Sequence, residues 1–431
     1  MKALLVYTNV AKVLQIPMGL ASISACLKKE GVDVMVWDNT FETVEEYRKK
    51  VKAFQPDYIC FSALSPDYEF TKTLATMSRS LCTAKHVIGG PHATYLVSEV
   101  IHDECFDVVI RGEGETSLCE LIKSDTADVP GTWVREGNTI HMNNMGVIPD
   151  VNKMPWLDYE SFKGHFNKKP SWGTLTGCSS CGTFITSRGC PFKCTYCGCE
   201  SLSGLYPGQK ITRYRDVEDH INEIADTVHK YNLDSVWFTD ETFTINKQRT
   251  VEFCNKYKEK VNLPFAIETR PNTVNEEIVD ALQKANCKLV RMGIESGSDR
   301  VRNDLYKRNM SRETIIKAFK MVAASGMQSA SFNICGAPTE TKEEIRETIA
   351  LNKECGVTVG KMTIFTIFPG SRLWSYCKEH NYFIREGYPE NYYIESNIKH
   401  DTLTLEELMD LRKEFVEAIG GFTGSTDRSV V

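Results

Sequence analysis

The chain has 431 residues, of which 42% are hydrophobic and 25% are charged, and its formal net charge is -6 at pH 7. This composition is typical of a globular protein of about two domains. A general nucleic-acid-binding protein usually has a strong basic excess, so the charge argues against that class. No run of about 18 apolar residues occurs, and the N-terminus lacks the apolar region of a signal peptide. We therefore expect a cytoplasmic protein without a membrane span.

Residues 1–125 alternate short apolar segments with amphipathic ones. Helical segments of the type PMGLASISACLKKEG and VEEYRKKVKAF separate the predicted strands, which are KALLVYT, VDVMVWD, PDYICFSAL, KHVIGG and FDVVIRG. Strands that alternate with helices in this way predict βαβ units and a parallel sheet. We therefore predict a doubly wound, Rossmann-like α/β domain with its ligand at the carboxyl ends of the strands.

Residues 126–180 are less regular and are predicted to be a linker that includes a small hairpin, VREGNTIHMNN. A second strand–helix series follows in residues 181–385, with predicted strands TFITSRG, DSVWFTDE, LPFAIETR, CKLVRMGIES, SASFNICG and KMTIFTIFPG. Six units predict a partial (β/α)6 barrel, because this segment is too short for eight. Residues 386–431 are predicted to form a closing helix, LTLEELMDLRKEFVEAI, and a frayed tail, GFTGSTDRSVV.

The chain has 16 cysteines, and four of them fall in the segment ITSRGCPFKCTYCGCES. Disulfides are rare in a reducing cytosol, so a clustered set indicates metal or redox chemistry. Cys190, Cys194 and Cys197 have the spacing C-x3-C-x2-C. Three thiolates suit a [4Fe–4S] cluster that keeps one iron open, whereas a structural zinc site takes four protein ligands. Zinc or an unrelated cluster stays open as an alternative at this point.

This motif, after a barrel strand, closely resembles that of the radical S-adenosylmethionine (SAM) superfamily, and Tyr196 also matches its usual pattern. The resemblance implies that SAM chelates the open iron and is cleaved to a 5′-deoxyadenosyl radical, with electrons from an external flavodoxin- or ferredoxin-type reductant. It implies no ligand role for Cys199. Upstream, Cys178 and Cys181 form a C-x2-C pair that leaves a second metal site open.

SAM needs a carboxylate for its amino group or ribose and a cation for its carboxylate, and strand ends of the barrel offer both. Asp240 and Glu241 end the second strand. Segments that resemble the next strand ends hold the SAM head group and ribose in the family, and the turn NICGAPTET resembles one near adenine. The resemblance therefore implies SAM contacts at Glu268, Arg270, Glu295, Ser296 and Asn333.

The first domain lacks the GxGxxG fingerprint of dinucleotide binding. Its segments IPMGLASISACLKKEGVDV, PDYICFSALSPDY, HVIGGPHAT and VVIRGEGE resemble the cobalamin-binding domain that precedes the barrel in the largest subgroup of radical SAM enzymes. Glycines at strand ends permit close approach of a bulky ligand. The candidate cobalamin contacts are Gly19, Ser62, Ser65, Gly89, Gly90, Pro91, His92, Arg111, Gly112, Glu113 and Gly114.

The cobalt-ligating motif D-x-H-x-x-G of methionine-synthase-like domains is absent. In the resembling subgroup the lower cobalt face has no protein histidine, so we expect His92 to contact the nucleotide tail or to pack. The weak axial donor that this implies favours low-valent cobalt, as methyl transfer requires.

The resemblance predicts a cobalamin-dependent methyltransferase that uses methylcobalamin and a 5′-deoxyadenosyl radical to methylate an unactivated carbon, or phosphorus, of a small molecule. The alternative is a non-methylating cyclase or rearrangement enzyme, such as one resembling magnesium-protoporphyrin ester cyclase. S-adenosylhomocysteine formed in step with product distinguishes the two. A third hypothesis is that the first domain is vestigial and serves for protein docking, or that the protein is a cobalamin carrier. Stoichiometric bound cobalamin would exclude a vestigial domain, and SAM cleavage would exclude a carrier.

Overall fold

The computed structural model describes residues 1–166, 178–385, 387–389 and 393–420. Residues 167–177, within the predicted linker, and the predicted tail at 421–431 lie outside the described residues. Two α/β sheets, one mixed and one parallel, follow one another along the chain. No helix among the described residues is both long and apolar enough to cross a bilayer.

The first sheet has seven strands in the order β2-β1-β3-β4-β5-β6-β7, and its first five strands are parallel. This arrangement confirms the doubly wound domain. The strands are β1 (Lys2–Tyr7), β2 (Asp33–Asp38), β3 (Tyr58–Ser62), β4 (Lys85–Gly89), β5 (Val108–Ile110), β6 (Thr132–Glu136) and β7 (Thr139–Met142). The helices are α1 (Met18–Lys29), α2 (Val44–Phe54), α3 (Tyr68–Arg79), α4 (Pro91–Tyr95), α5 (Val97–Val100) and α6 (Glu115–Ser124).

The predicted hairpin forms as β6 and β7, and it extends the first sheet in antiparallel fashion. These residues were predicted to belong to the linker. Gly131, just before β6, accepts a backbone hydrogen bond from Arg111 at 2.9 Å. The hairpin therefore supports the turn that follows β5.

Local sequence signals explain several helix ends. Thr43 and Glu46 form a reciprocal capping box at the start of α2, which satisfies two orphan N–H groups. Pro17 directly precedes α1, and Gly31 follows it with φ +78°, a backbone angle that glycine adopts without strain.

The second sheet has six parallel strands in the order β8-β11-β12-β13-β14-β15, which matches the predicted six-unit partial barrel. Its strands are β8 (Cys181–Phe184), β11 (Ser235–Phe238), β12 (Phe265–Thr269), β13 (Cys287–Glu295), β14 (Gln328–Cys335) and β15 (Val359–Ile364), and a two-stranded ribbon is formed by β9 (Ser187–Arg188) and β10 (Arg213–Tyr214). The helices are α7 (Gly198–Leu205), α8 (Val217–Tyr231), α9 (Lys247–Lys260), α10 (Glu276–Lys284), α11 (Arg312–Ala324), α12 (Lys342–Cys355), α13 (Arg372–Glu379) and α14 (Leu405–Ile419).

Candidate functional site

The three motif cysteines lie in the loop between β9 and α7, beyond the carboxyl end of the first barrel strand. Gly189 begins this loop with φ +82°, and a Cβ there would overlap the carbonyl oxygen of Ile211. Inside the loop, the Cys197 N–H donates to the Cys194 carbonyl at 3.1 Å. Glycine therefore lets the chain turn tightly before it presents the thiols.

The donor set fits a cubane cluster. Cys194 is buried, and Arg270 donates from Nη1 to its Sγ at 3.0 Å. A hydrogen bond from Cys199 lowers the pKa of Cys197, which favours the thiolate that iron prefers. No three His, Cys, Asp or Glu side chains in the described part of the chain converge on one ion. A cubane takes one thiolate per iron, so its ligands surround it without converging on a point.

The upstream pair, Cys178 and Cys181, is placed differently. The Cys178 thiol approaches the carbonyl of Asp234 at 3.9 Å, and the Cys181 thiol approaches that of Gly182 at 3.8 Å. Both thiols thus lie at the start of β8, at the opposite end of that strand from the cluster loop.

Two predicted SAM contacts lie at the end of β12. Glu268 pairs with Arg291 at 3.5 Å, and burial raises the pKa of Glu268. Besides its bond to Cys194, Arg270 donates from Nη2 to the Arg308 carbonyl at 2.6 Å and stacks 3.8 Å from the centre of the Phe192 ring. Arg270 therefore faces the cluster loop directly.

Glu295, at the end of β13, belongs to a charged group beneath the cluster loop. It has φ +64° and pairs with Arg308 at 3.3 Å, and Arg308 also donates to Tyr196 Oη at 2.5 Å. Tyr196 lies between the second and third cysteines. Arg308 was not predicted from sequence, because it lies outside every motif.

Ser296 and Asn333 have buried side chains that point to helix α12. Ser296 Oγ lies 3.5 Å from Thr348 Oγ1, and Asn333 accepts a hydrogen bond from Asn352 at 2.9 Å. Asp240, at the end of β11, is also fully buried and accepts from Thr186 Oγ1 at 2.8 Å. These side chains hold strands and helices together, and a SAM contact for Ser296 or Asn333 stays a prediction.

A cavity of about 360 Å³ opens at the carboxyl ends of β1, β3, β4 and β5, a volume within the range of small-ligand sites. Eight predicted cobalamin contacts line it: Gly19, Ser62, Gly89, Gly90, Pro91, Gly112, Glu113 and Gly114. Gly90 has φ +92°, and a Cβ there would lie 2.8 Å from the Ala63 carbonyl oxygen. A glycine-lined recess at this edge of the sheet fits the close approach of a bulky ligand.

The other three predicted contacts do not line this cavity. His92 stacks on Tyr68 with ring centres 3.9 Å apart, and its Nδ1 lies 3.0 Å from Ser65 Oγ. Burial lowers the pKa of His92 to about 4. Arg111 lies over the Trp133 ring of the hairpin. His92 thus packs against Tyr68 and Ser65 inside the domain. Cobalamin contacts of Ser65, His92 and Arg111 stay predictions.

Contacts join the two predicted cofactor sites. Tyr95, at the end of α4, donates to the Gly198 carbonyl at 2.7 Å, directly after the third cysteine. Glu113, on the cavity, pairs with Arg188 and Arg213 of the ribbon β9–β10. Arg188 itself lines the cavity and lies two residues before Cys190. Neither Tyr95 nor Arg188 was predicted from sequence, although Arg188 adjoins the cysteine motif.

Comparisons with known proteins agree with both halves of this site. Residues 4–122 match the family model of the B12 binding domain, and residues 184–351 match that of the radical SAM superfamily. The two domains define an enzyme that takes cobalamin in its first half and a [4Fe–4S] cluster with SAM in its second. The chain belongs to the cobalamin-dependent radical SAM enzymes.

Similar proteins include an uncharacterized methyltransferase of Pyrococcus horikoshii, 28% identical over 93% of this chain and 87% of its own length. The anaerobic magnesium-protoporphyrin IX monomethyl ester cyclase of Cereibacter sphaeroides is 24% identical over 91% of this chain and 65% of its own length. The radical SAM methyltransferase TsrM of Kitasatospora setae, solved with cobalamin and a [4Fe–4S] cluster, has a TM-score of 0.70 at 18% identity, over 89% of this chain and 79% of its own. That last likeness shows the shared fold.

Proposed function

We propose that the protein is a methyltransferase that transfers a methyl group to an unactivated carbon, or to phosphorus, of a small-molecule substrate. The observation that carries this proposal is the meeting of the two cofactor sites. Arg188 lines the glycine-rich cavity and lies two residues from Cys190. A substrate held between the two domains would therefore meet both cofactors at once.

When bound, the cluster with SAM supplies a carbon-centred radical, and cobalamin supplies a methyl group. The residues of the chain would hold both cofactors in place. Cys190, Cys194 and Cys197 would hold three irons, and Arg270 stabilises the Cys194 thiolate by donating to its sulfur. Gly90 and its neighbours let cobalamin approach the backbone of the first sheet. An external one-electron reductant of the flavodoxin or ferredoxin type would deliver electrons.

The alternative is a cyclase or rearrangement enzyme without methyl transfer. It is supported by the likeness to the magnesium-protoporphyrin ester cyclase, whereas the Pyrococcus relative and TsrM are named methyltransferases. The two reactions differ in how SAM is consumed. A methyltransferase yields S-adenosylhomocysteine as well as 5′-deoxyadenosine, and the alternative yields only the latter.

The test needs no knowledge of the substrate. The anaerobic, cluster-loaded protein is mixed with hydroxocobalamin, a low-potential reductant and SAM deuterated at its methyl group. We expect about one S-adenosylhomocysteine per bound cobalamin, with the label in the cobalamin fraction by mass spectrometry. Cys194→Ala is the matched control, because it lacks one cluster ligand; it should lose 5′-deoxyadenosine formation and keep label transfer. Wild-type protein that forms 5′-deoxyadenosine but no S-adenosylhomocysteine would refute methyl transfer.

A further inference from the structure

Four charged side chains form one network where the two domains meet. Arg188 Nη1 lies 2.8 Å from Glu113 Oε2 and 2.7 Å from Glu115 Oε1. Arg213 Nη1 donates to the same Glu113 oxygen at 3.1 Å, and its Nη2 pairs with the other Glu113 oxygen. Arg188 Nη2 also donates to Ser22 Oγ on α1 at 3.0 Å. Arg188 thus holds three groups of the first domain with a single guanidinium.

The network is well shielded and electrically balanced. The exposed fractions of its side chains are 19% for Arg188, 13% for Glu113, 5% for Glu115 and 10% for Arg213. Two carboxylates face two guanidinium groups, so no charge is left over. Desolvation largely offsets the attraction of such buried pairs, so stability alone is a poor reason for the network. Its place in the molecule suggests another role.

The network connects the two segments that the cofactors would touch. Glu113 lies between Gly112 and Gly114, which line the cavity, and Glu115 begins α6. On the other side, Arg188 ends β9 and precedes the cluster loop. Any shift of the glycine turn relative to the cysteines would have to stretch these ion pairs.

We propose that Arg188 is a positioning residue that couples cobalamin binding to the assembly of the cluster loop. A bound cluster orders the loop around Cys190, and bound cobalamin orders the turn at Gly112–Gly114. Because Arg188 bridges both, the first group to bind orders part of the site of the second, which then binds with a smaller entropic cost. Such coupling is reciprocal. The proposal rests on the cofactor assignment and does not depend on methyl transfer.

The test measures the dissociation constant of hydroxocobalamin by equilibrium dialysis against the full-length protein, with and without its reconstituted cluster. We expect the cluster-loaded wild type to bind cobalamin more tightly by about fivefold or more, the usual lower range for coupled sites. In the double variant Arg188→Met with Glu115→Gln, one charge of each sign is removed and the network stays balanced. For this double variant, the ratio of the dissociation constant without the cluster to that with the cluster should fall to about one.

Lys28→Met is the matched control, because Lys28 pairs with Asp158 at 2.6 Å between α1 and the segment that leads to the barrel, away from the cavity. It should keep the wild-type ratio. Arg188→Lys keeps the positive charge but loses the several donors of the guanidinium, so it should lower the ratio to an intermediate value. This variant replaces the double variant in the test if circular dichroism shows that the double variant is misfolded. A wild-type ratio of one overturns the proposal. So does a folded double variant that weakens cobalamin binding equally with and without the cluster.

Discussion

Arg270 shows how a strand-end residue acquires its role from its neighbours. The sequence predicts a contact with SAM, because a cation at this place suits a carboxylate. In the structure its guanidinium donates to Cys194 Sγ and to the Arg308 carbonyl, and it covers the Phe192 ring. A donor aimed at a cluster sulfur stabilises the more negative, reduced cluster.

Replacing Arg270 with methionine should therefore lower the reduction potential of the cluster. We expect a fall of roughly 60 mV, which corresponds to a tenfold change in a one-electron equilibrium. A redox titration followed by electron paramagnetic resonance, without SAM, measures it. Arg300→Met is the control, since Arg300 pairs with Glu344 and not with a cysteine. Equal potentials in wild type and Arg270→Met would show that this hydrogen bond does not tune the cluster.

The turn between β4 and α4 illustrates how a short element shapes a site. Gly90 has φ +92° and ψ 179°, a combination that is essentially confined to glycine. Its Cβ position is also blocked by the Ala63 backbone at 2.8 and 3.0 Å. The turn is therefore fixed twice, by its torsion angles and by steric contact.

Gly90→Ala should lower the free energy of unfolding by about 1–3 kcal/mol and abolish retention of hydroxocobalamin during gel filtration. Gly31→Ala provides a comparison, because Gly31 also has a positive φ, of +78°, but nothing lies within 4 Å of its Cβ position. It should cost about 1–2 kcal/mol and leave cobalamin bound. Thermal unfolding of both variants gives the energies. Cobalamin retained by Gly90→Ala would contradict the assigned role of this turn.

Strands and helices were largely predictable because their signals are local. Apolar runs, Pro17 and Gly31 indicate α1 and its neighbours without any tertiary information. The pairing of the β6–β7 hairpin with β5 was not predictable, because it joins segments that are separated in the sequence. The direction in which the Asn333 side chain points was equally unpredictable from sequence. Alternation says that Ser331 and Asn333 share a face of β14, but only packing decides that this face meets α12.

At the site, the cysteine motif and the glycine turns were readable from sequence, because each carries a chemical or conformational requirement of its own. Arg188, Arg308 and Tyr95 were not, since a single arginine or tyrosine acquires meaning only from what it touches. The predicted boundaries at 125, 180 and 385 stay predictions, and so do the individual contacts to the cluster, SAM and cobalamin.

On the scale of the whole molecule, residues 157–166 tie the two halves together. Asp158 accepts from Ser24 Oγ on α1 at 2.5 Å, and Leu157 N–H donates to Glu223 on α8 at 2.8 Å. His165 Nε2 lies 2.7 Å from Asp38 at the end of β2. One cluster of buried apolar side chains includes residues of both sheets. We therefore expect the two halves to unfold together.

The stability of this unit should depend on pH through buried histidines. Burial lowers the pKa of His86 and of His92 to about 4, below the value of about 6.5 in an unfolded chain. Between pH 6.5 and 4 the unfolded state therefore binds more protons than the folded state. Each of these histidines thus lowers the free energy of unfolding as the pH falls through this range. Burial also raises the pKa of Glu340 to about 8, which acts in the opposite direction, so a variant must isolate the histidine.

His92→Phe keeps an aromatic ring against Tyr68 and removes the titration. Relative to wild type, this variant should gain about 2 kcal/mol between pH 7 and pH 5. Urea unfolding at the two pH values measures the difference, and Lys28→Met, which removes no histidine, should show no such gain. A constant difference between wild type and His92→Phe at both pH values would mean that the pKa of His92 is the same in the folded and the unfolded protein, which would contradict the lowered value.

The bond between Ser24 and Asp158 spans 134 residues of chain, and that distance matters during synthesis. Helix α1 leaves the ribosome well before the segment around Asp158, which covers one side of it, has been translated. At rates of about 5–20 residues per second, the interval lasts on the order of ten seconds. For that time the nascent first sheet has an uncovered flank, which makes this helix a natural place for a chaperone to hold the growing chain.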